Sequence, residues 1–165
     1  VNAKAGIVTS QVAWLGTVPF LLPDWKAVVV GFPIAMIASH LPDLDHSSST
    51  AGRNLGRFPW LIRRLAGGHR MGMHSIFAVV GFGWLVGFFI LPTTGLAVST
   101  GWLAHVVCDL LTVQGVGFFY PLSDRKVSLG WMVTGERGET VYIRLMQGAG
   151  ALLILFYGYQ LGGQL

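Results

Sequence analysis

The chain has 165 residues, 53% hydrophobic and 11% charged; a soluble domain carries roughly 25% charged residues, so composition excludes an ordinary water-soluble fold and points to a membrane class. The formal net charge of +4 has to be read by position, because Lys and Arg in a membrane protein report orientation first, and no nucleic-acid partner is expected. The length fits a single domain over residues 1–165, and the lone Cys108 excludes an internal disulfide and reads as a small packed residue.

Crossing the hydrocarbon core of a bilayer takes about 20 apolar residues in helix. Five stretches approach that length, at residues 5–22, 27–41, 74–91, 95–113 and 142–161. The expected fold is therefore all-α: a polytopic membrane protein with about five transmembrane helices. The first stretch is read as a span and not as a cleaved signal, since further spans follow it and no small-residue cleavage site stands out. The second is short and contains Pro33, so a kink or a partial crossing is expected there. Pro23-Asp24 and the segment from Leu91 to Gly95 read as tight connections that make successive helices antiparallel neighbours.

Orientation follows from the basic residues of alternate loops. One side receives Lys4, the five arginines from Arg53 to Arg70, then Arg125, Lys126, Arg137 and Arg144, while the other receives Lys26. This asymmetry predicts a multi-pass membrane protein with a cytoplasmic N-terminus, two long cytoplasmic loops and a C-terminus on the far side.

Between the second and third stretches, residues 55–65 interleave Phe58, Trp60, Leu61, Ile62 and Leu65 with Arg57, Arg63 and Arg64, behind Pro59. That pattern predicts an interfacial amphipathic helix, serving either to gather anionic lipid head groups or as ordinary positive-inside anchoring. Further on, the β-prone runs 127–132 and 139–143 flank Thr134-Gly135-Glu136-Arg137-Gly138, so a small cytoplasmic β-hairpin is expected. Gly83-x-x-x-Gly87 and Gly158-x-x-x-Gly162 permit close helix packing, and an oligomer stays open.

Three polar segments carry the chemistry: His40-Leu41-Pro42-Asp43-Leu44-Asp45-His46, His69-Arg70-Met71-Gly72-Met73-His74-Ser75 and His105-Val106-Val107-Cys108-Asp109. Together they hold all five His and three of the seven acids. By the alternation of spans, all three reach the cytoplasmic edge. His105 and Asp109 are one helical turn apart on one face, and an ionisable group inside a span needs a partner or a function. Asp43 and Asp45 share a Pro-containing turn, where their repulsion calls for a cation unless one of them only caps a helix. The predicted metal ligands are Asp43, Asp45, His74, His105 and Asp109. Mixed His and carboxylate donors suit Zn, or Mn or Fe, as one ion or two. Arg70 offers a planar fork for phosphate oxygens, and His46 or His69 would move protons.

At these places the sequence resembles the family of LexA-regulated, membrane-bound metal-dependent hydrolases of bacterial inner membranes. The matching text is Leu41-Pro42-Asp43-Leu44-Asp45-His46, Gly68-His69-Arg70 with His74-Ser75, and His105-x-x-x-Asp109-Leu110-Leu111-Thr112, then Gly115-Val116 and Tyr120-Pro121, and more loosely Gly135 and Glu139. The resemblance implies a helical membrane fold and a divalent-metal hydrolase, with Glu139 as a late contributor. A remote similarity to zinc-dependent phospholipase C implies phosphoester chemistry, with Asp43 or Asp45, His74, His105 and Asp109 as ligands. Relatives carry a His just before the first span where this chain has Ala5-Gly6, and His40 is the expected substitute ligand. The expected substrate is a lipid or another phosphorylated membrane-associated molecule. The competing expectations are a metal-ion or proton carrier, built on intramembrane His and Asp, and an inactive relative holding a structural metal.

Overall fold

The computed structural model describes residues 1–21 and 25–162, so the expected connection at Pro23-Asp24 lies outside the described residues. Six α-helices follow in chain order: α1 (Ala3–Leu21), α2 (Trp25–Ala38), α3 (Phe58–Leu65), α4 (Ile76–Phe89), α5 (Pro92–Leu110) and α6 (Arg137–Gly162). Two short 3-10 turns, Pro42–Asp45 and Gly72–His74, lead out of α2 and into α4. The five long helices fall on the five apolar stretches.

Helix α5 is the hub, packed against α1, α2 and α4, while α1 also meets α2 and α6. Small residues make this closeness feasible. A Cβ on Gly101 would stand 2.0 Å from the Ala35 carbonyl oxygen, and one on Gly95 would stand 2.6 Å from the Gly87 Cα, so helix backbones touch where a side chain would part them. The Gly83-x-x-x-Gly87 spacing is thus used inside the chain, against α5. Trp14 and Trp102 fill the interior, and their ring N–H groups donate to the carbonyls of Val28 and Met73 at 2.8 and 2.7 Å. The second of these bonds ties the middle of α5 to the backbone just ahead of His74.

Two expectations need correction. Among the described residues, two helices are long and apolar enough to cross a membrane, Trp25–Asp45 and Arg137–Gln160; Ile76–Phe89 is apolar but shorter. Helix α5 has the length, yet its Thr93, Thr94, Ser99, Thr100, His105 and Asp109 dilute its apolar character. The β-hairpin does not form. Among the described residues there is no strand, and two isolated bridges pair Met132 with Thr112 and Val127 with Val116. Residues 139–143 belong instead to α6, which starts at Arg137. The β-propensity of Val141, Tyr142 and Ile143 yields to a helix that begins with an acid in its first turn and continues an apolar run.

The exterior is unusually apolar. Phe77, Val80, Trp84, Phe88 and Phe89 on α4, and Val141, Leu145, Leu152, Leu155 and Phe156 on α6, are exposed. Water tolerates contiguous apolar patches of this kind poorly.

Candidate metal centre

The start of α1, the end of α2, the lead into α4, the last turns of α5 and the start of α6 meet at one end of the bundle, and the three polar segments come together there. The segment after α2 is shaped by Pro42, which opens the 3-10 turn carrying Asp43 and Asp45. Ser49 then folds the following loop back, donating from Oγ to the Asp43 carbonyl at 2.7 Å and accepting from the Gly52 N–H at 2.9 Å. Ser75 caps α4, accepting from the Ala78 N–H at 3.2 Å, which sets His74 on the turn immediately before the helix.

His74 Nε2 lies 3.2 Å from Asp109 Oδ2 and 3.8 Å from Asp43 Oδ1; His105 Nε2 lies 3.6 Å from each of the same two oxygens. Four donors bound tetrahedrally at about 2.0–2.2 Å stand about 3.3–3.6 Å from one another, and the four imidazole–carboxylate distances here, 3.2 to 3.8 Å, fall around that range. Both Nε2 atoms and Asp109 Oδ2 are fully buried and have no hydrogen-bond partner. Buried polar atoms of this kind normally have one. A divalent cation would satisfy all three at once, so these residues fit such an ion. The Nδ1 atoms of both rings are also buried without partners, so no hydrogen bond commits either imidazole to one tautomer.

Asp109 divides its work. While Oδ2 faces the imidazoles, Oδ1 accepts from the Arg70 guanidinium at 2.9 Å and contacts the Val1 amino group. Arg70 is 6% exposed, also donates to Thr112 Oγ1 at 3.1 Å, and adopts a left-handed backbone with φ of 63°. For a residue with a Cβ that conformation costs about 1–3 kcal/mol. Neighbours hold it there: the Arg70 N–H donates to Asp45 Oδ2 at 3.3 Å, and its carbonyl accepts from the Gly117 N–H at 2.7 Å.

Asp45 is buried and accepts from His69 Nδ1 at 2.8 Å. Ligand atoms of Asp43, Asp45 and His69 also lie within 4.8 Å of one another, as do those of Asp43, His74 and His105, so Asp43 is common to two candidate sets. Four imidazoles run outward in sequence, with ring centres 5.5 Å apart from His105 to His74, 5.7 Å from His74 to His69, and 4.6 Å from His69 to His46. They lead to a cleft of about 250 Å³ lined by His40, Asp43, His46, His69, Arg70 and Thr134, among others.

Of the residues singled out in the sequence, Asp43, Asp45, His69, Arg70, His74, His105 and Asp109 converge, and His46 sits at the mouth. His40 and Asp109 both stand outside the two candidate ligand sets; His40 lines the cleft, whereas Asp109 Oδ2 faces both imidazoles at 3.2 and 3.6 Å. Glu139 is buried beside the site, with its carboxylate accepting from the Asn2 N–H, Asn2 Nδ2 and the Gly135 N–H, each at 2.8 Å; it joins α1 to α6. Gly6 lies against the ring of His105, since a Cβ there would be 3.1 Å from Nδ1. Sequence reasoning gave no role to Asn2, Thr112 or Thr134. Thr112 stood within the quoted motif and was the legible one; Asn2 and Thr134 gave no signal. The Thr134 hydroxyl is buried, unpartnered and on the cleft.

The chain matches, over residues 7–162, the family described as YdjM inner membrane protein. It belongs to that family. Inner membrane protein YdjM of Escherichia coli (strain K12) is 33% identical over 108 residues, covering 59% of this chain and 51% of that protein, and the Shigella flexneri protein of the same name matches equally. Uncharacterized protein ORF4 of Methanothermobacter thermautotrophicus is 32% identical over 68 residues, 41% of this chain and 28% of that one. The chain spans about half the length of the YdjM proteins it matches. No solved structure matches. The YdjM name states a location, the inner membrane, and no activity.

Proposed function

We propose that this YdjM-family chain is a membrane-embedded, divalent-metal-dependent hydrolase that cleaves a phosphoester at the cytoplasmic edge of the bilayer. The observation that carries the reading is the set of buried, unpartnered donor atoms on His74, His105 and Asp109, with Asp43 Oδ1 3.8 and 3.6 Å from the two imidazoles. Asp43, His74, His105 and Asp109 would hold Zn, or Mn or Fe, and Asp45 and His69 with the shared Asp43 leave room for a second ion. The metal, when bound, supplies polarisation of a phosphoryl oxygen and an acidified water.

The remaining work falls to the chain. Arg70 spends N–H groups on Asp109 and Thr112 and keeps others of its fork for a phosphate oxygen in the cleft it lines. The Thr134 hydroxyl offers a further donor there. With Nδ1 directed to Asp45, His69 has Nε2 to take or give a proton, and His46 carries protons toward solvent. Placement of the site and the basic loops on the cytoplasmic side belongs to the same proposal. Its supports are the apolar exterior and the location of Lys26 at the opposite end from the other basic residues. The histidines and the buried acids gather at one end of the bundle, which favours hydrolysis over carriage across the membrane.

Elemental analysis of the purified chain, together with activity screening on phospholipids and generic phosphodiesters, tests the reading. About one or two ions per chain are expected, lost in His105→Ala and Asp109→Ala. Full metal content in both variants would overturn the ligand assignment, and a metal-loaded chain that transports ions into liposomes without hydrolysis would replace the activity with the carrier.

A further inference from the structure

Helix α3 has a feature that the metal centre does not use: an apolar stripe and a basic stripe that are both largely exposed. By the helical period of about 3.6 residues, Phe58, Leu61 and Leu65 fall on one stripe, and Trp60, Arg63 and Arg64 fall on the opposite one. Phe58 is 52% and Leu65 78% exposed, so much of the apolar stripe is left uncovered by the described residues. On the other face Arg64 lies over the Trp60 ring at 5.5 Å, and Trp60, Arg63 and Arg64 with Gly67 and Gly68 line an open recess of about 680 Å³. From His46 to His74 the chain has five Arg and neither Asp nor Glu.

We infer that this recess binds the phosphate-bearing head group of an anionic membrane lipid, with α3 lying in the plane of the interface. An exposed apolar stripe is satisfied by the acyl boundary, and the opposing arginines then stand at head-group depth, where an anionic leaflet attracts them. The recess is continuous with the site. Helix α3 packs on the 3-10 turn that carries Asp43 and Asp45. The chain leaving it passes through Gly67 and Gly68, with φ of 74° and 122°, directly into His69 and Arg70. The Gly68 N–H donates to the Arg63 carbonyl and the Gly72 N–H to the Ala66 carbonyl, both at 2.8 Å, so the end of α3 and the site loop are one hydrogen-bonded unit. The substrate is accordingly an anionic phospholipid drawn from the surrounding leaflet, a conclusion that rests on the hydrolytic reading above; the lipid recess itself does not.

The test uses the full chain in nanodiscs of phosphatidylcholine alone or with about 30% phosphatidylglycerol, read by hydrogen exchange over residues 58–70. Phosphatidylglycerol is expected to slow exchange about tenfold or more, and Arg63→Gln with Arg64→Gln, both exposed positions, to abolish that protection. Equal exchange in the two lipids, or protection unchanged in the double variant, overturns the inference. Protection by inorganic phosphate in phosphatidylcholine discs also overturns it, since it assigns the recess to free phosphate. Zinc content measured on the same samples separates the two proposals: lipid protection without zinc leaves the recess and removes the metal centre, and the reverse removes the recess.

Discussion

Replacing Asp43 with Asn is the cleanest perturbation of the metal centre. The side chain is 21% exposed, and its Oδ1 faces the two imidazoles. Asn keeps the volume while removing the charge and most of the affinity for a cation. The other ligand oxygen, on Asp109, is a poorer target because Asp109 also neutralises buried Arg70, and breaking such a pair costs about 3–5 kcal/mol with or without metal. If zinc is held at a concentration about 100 times its Kd for the unchanged chain, binding stabilises the fold by about 2.7 kcal/mol. For a chain of this size that raises the melting temperature by about 5–11 °C. A direct ligand matters at least as much as an outer-shell partner, whose loss weakens binding by about 10–100-fold. With Kd raised about 100-fold, the same zinc concentration contributes about 0.4 kcal/mol, and the shift falls to about 1–2 °C. The assay is thermal unfolding of the detergent-purified chain with zinc and with chelator, for both proteins. An unchanged chain indifferent to zinc, or an Asp43→Asn chain that responds to zinc equally well, would refute the reasoning.

His69→Gln should leave zinc content at the Asp43, His74 and His105 set intact while lowering turnover of bis-p-nitrophenyl phosphate by about 10²–10⁴-fold, the usual worth of a positioned acid or base; parallel loss of zinc would make His69 a ligand instead. Gly101→Ala puts a methyl group 2.0 Å from the Ala35 carbonyl oxygen, and forcing α2 and α5 apart should cost about 1–3 kcal/mol. Thermal unfolding in chelator reads that cost free of metal, and an unchanged melting temperature would mean that the two helices do not meet at this place.

Much of the helical layout was legible because apolar run length is a local property: each of the five stretches became a helix within a few residues of its expected ends. The hairpin was misread for a related reason. Residues 139–143 have β-prone side chains, but the carboxylate of Glu139 binds Asn2, 137 positions away, and residues 127–132 meet the segment after α5. Local propensity is a weak term beside such tertiary contacts. Among the described residues the apolar test for crossing is met by two helices and not by five: α4 is short at 14 residues, and α5 carries the polar residues of the site within its own length.

For the candidate site, the sequence by itself determined the donor types and the pairing of His105 with Asp109, since four residues of helix bring two side chains to one face whatever surrounds them. The gathering of Asp43, His74, His105 and Asp109 to spacings that suit one ion was decided by tertiary structure, through the meeting of α2, α4 and α5 at one end of the bundle. So was the division of Asp109 between Arg70 and the imidazoles, and the placing of His40 outside both ligand sets. Which oxygen of a carboxylate faces which partner depends on groups tens of residues away. Composition and spacing carry no record of them.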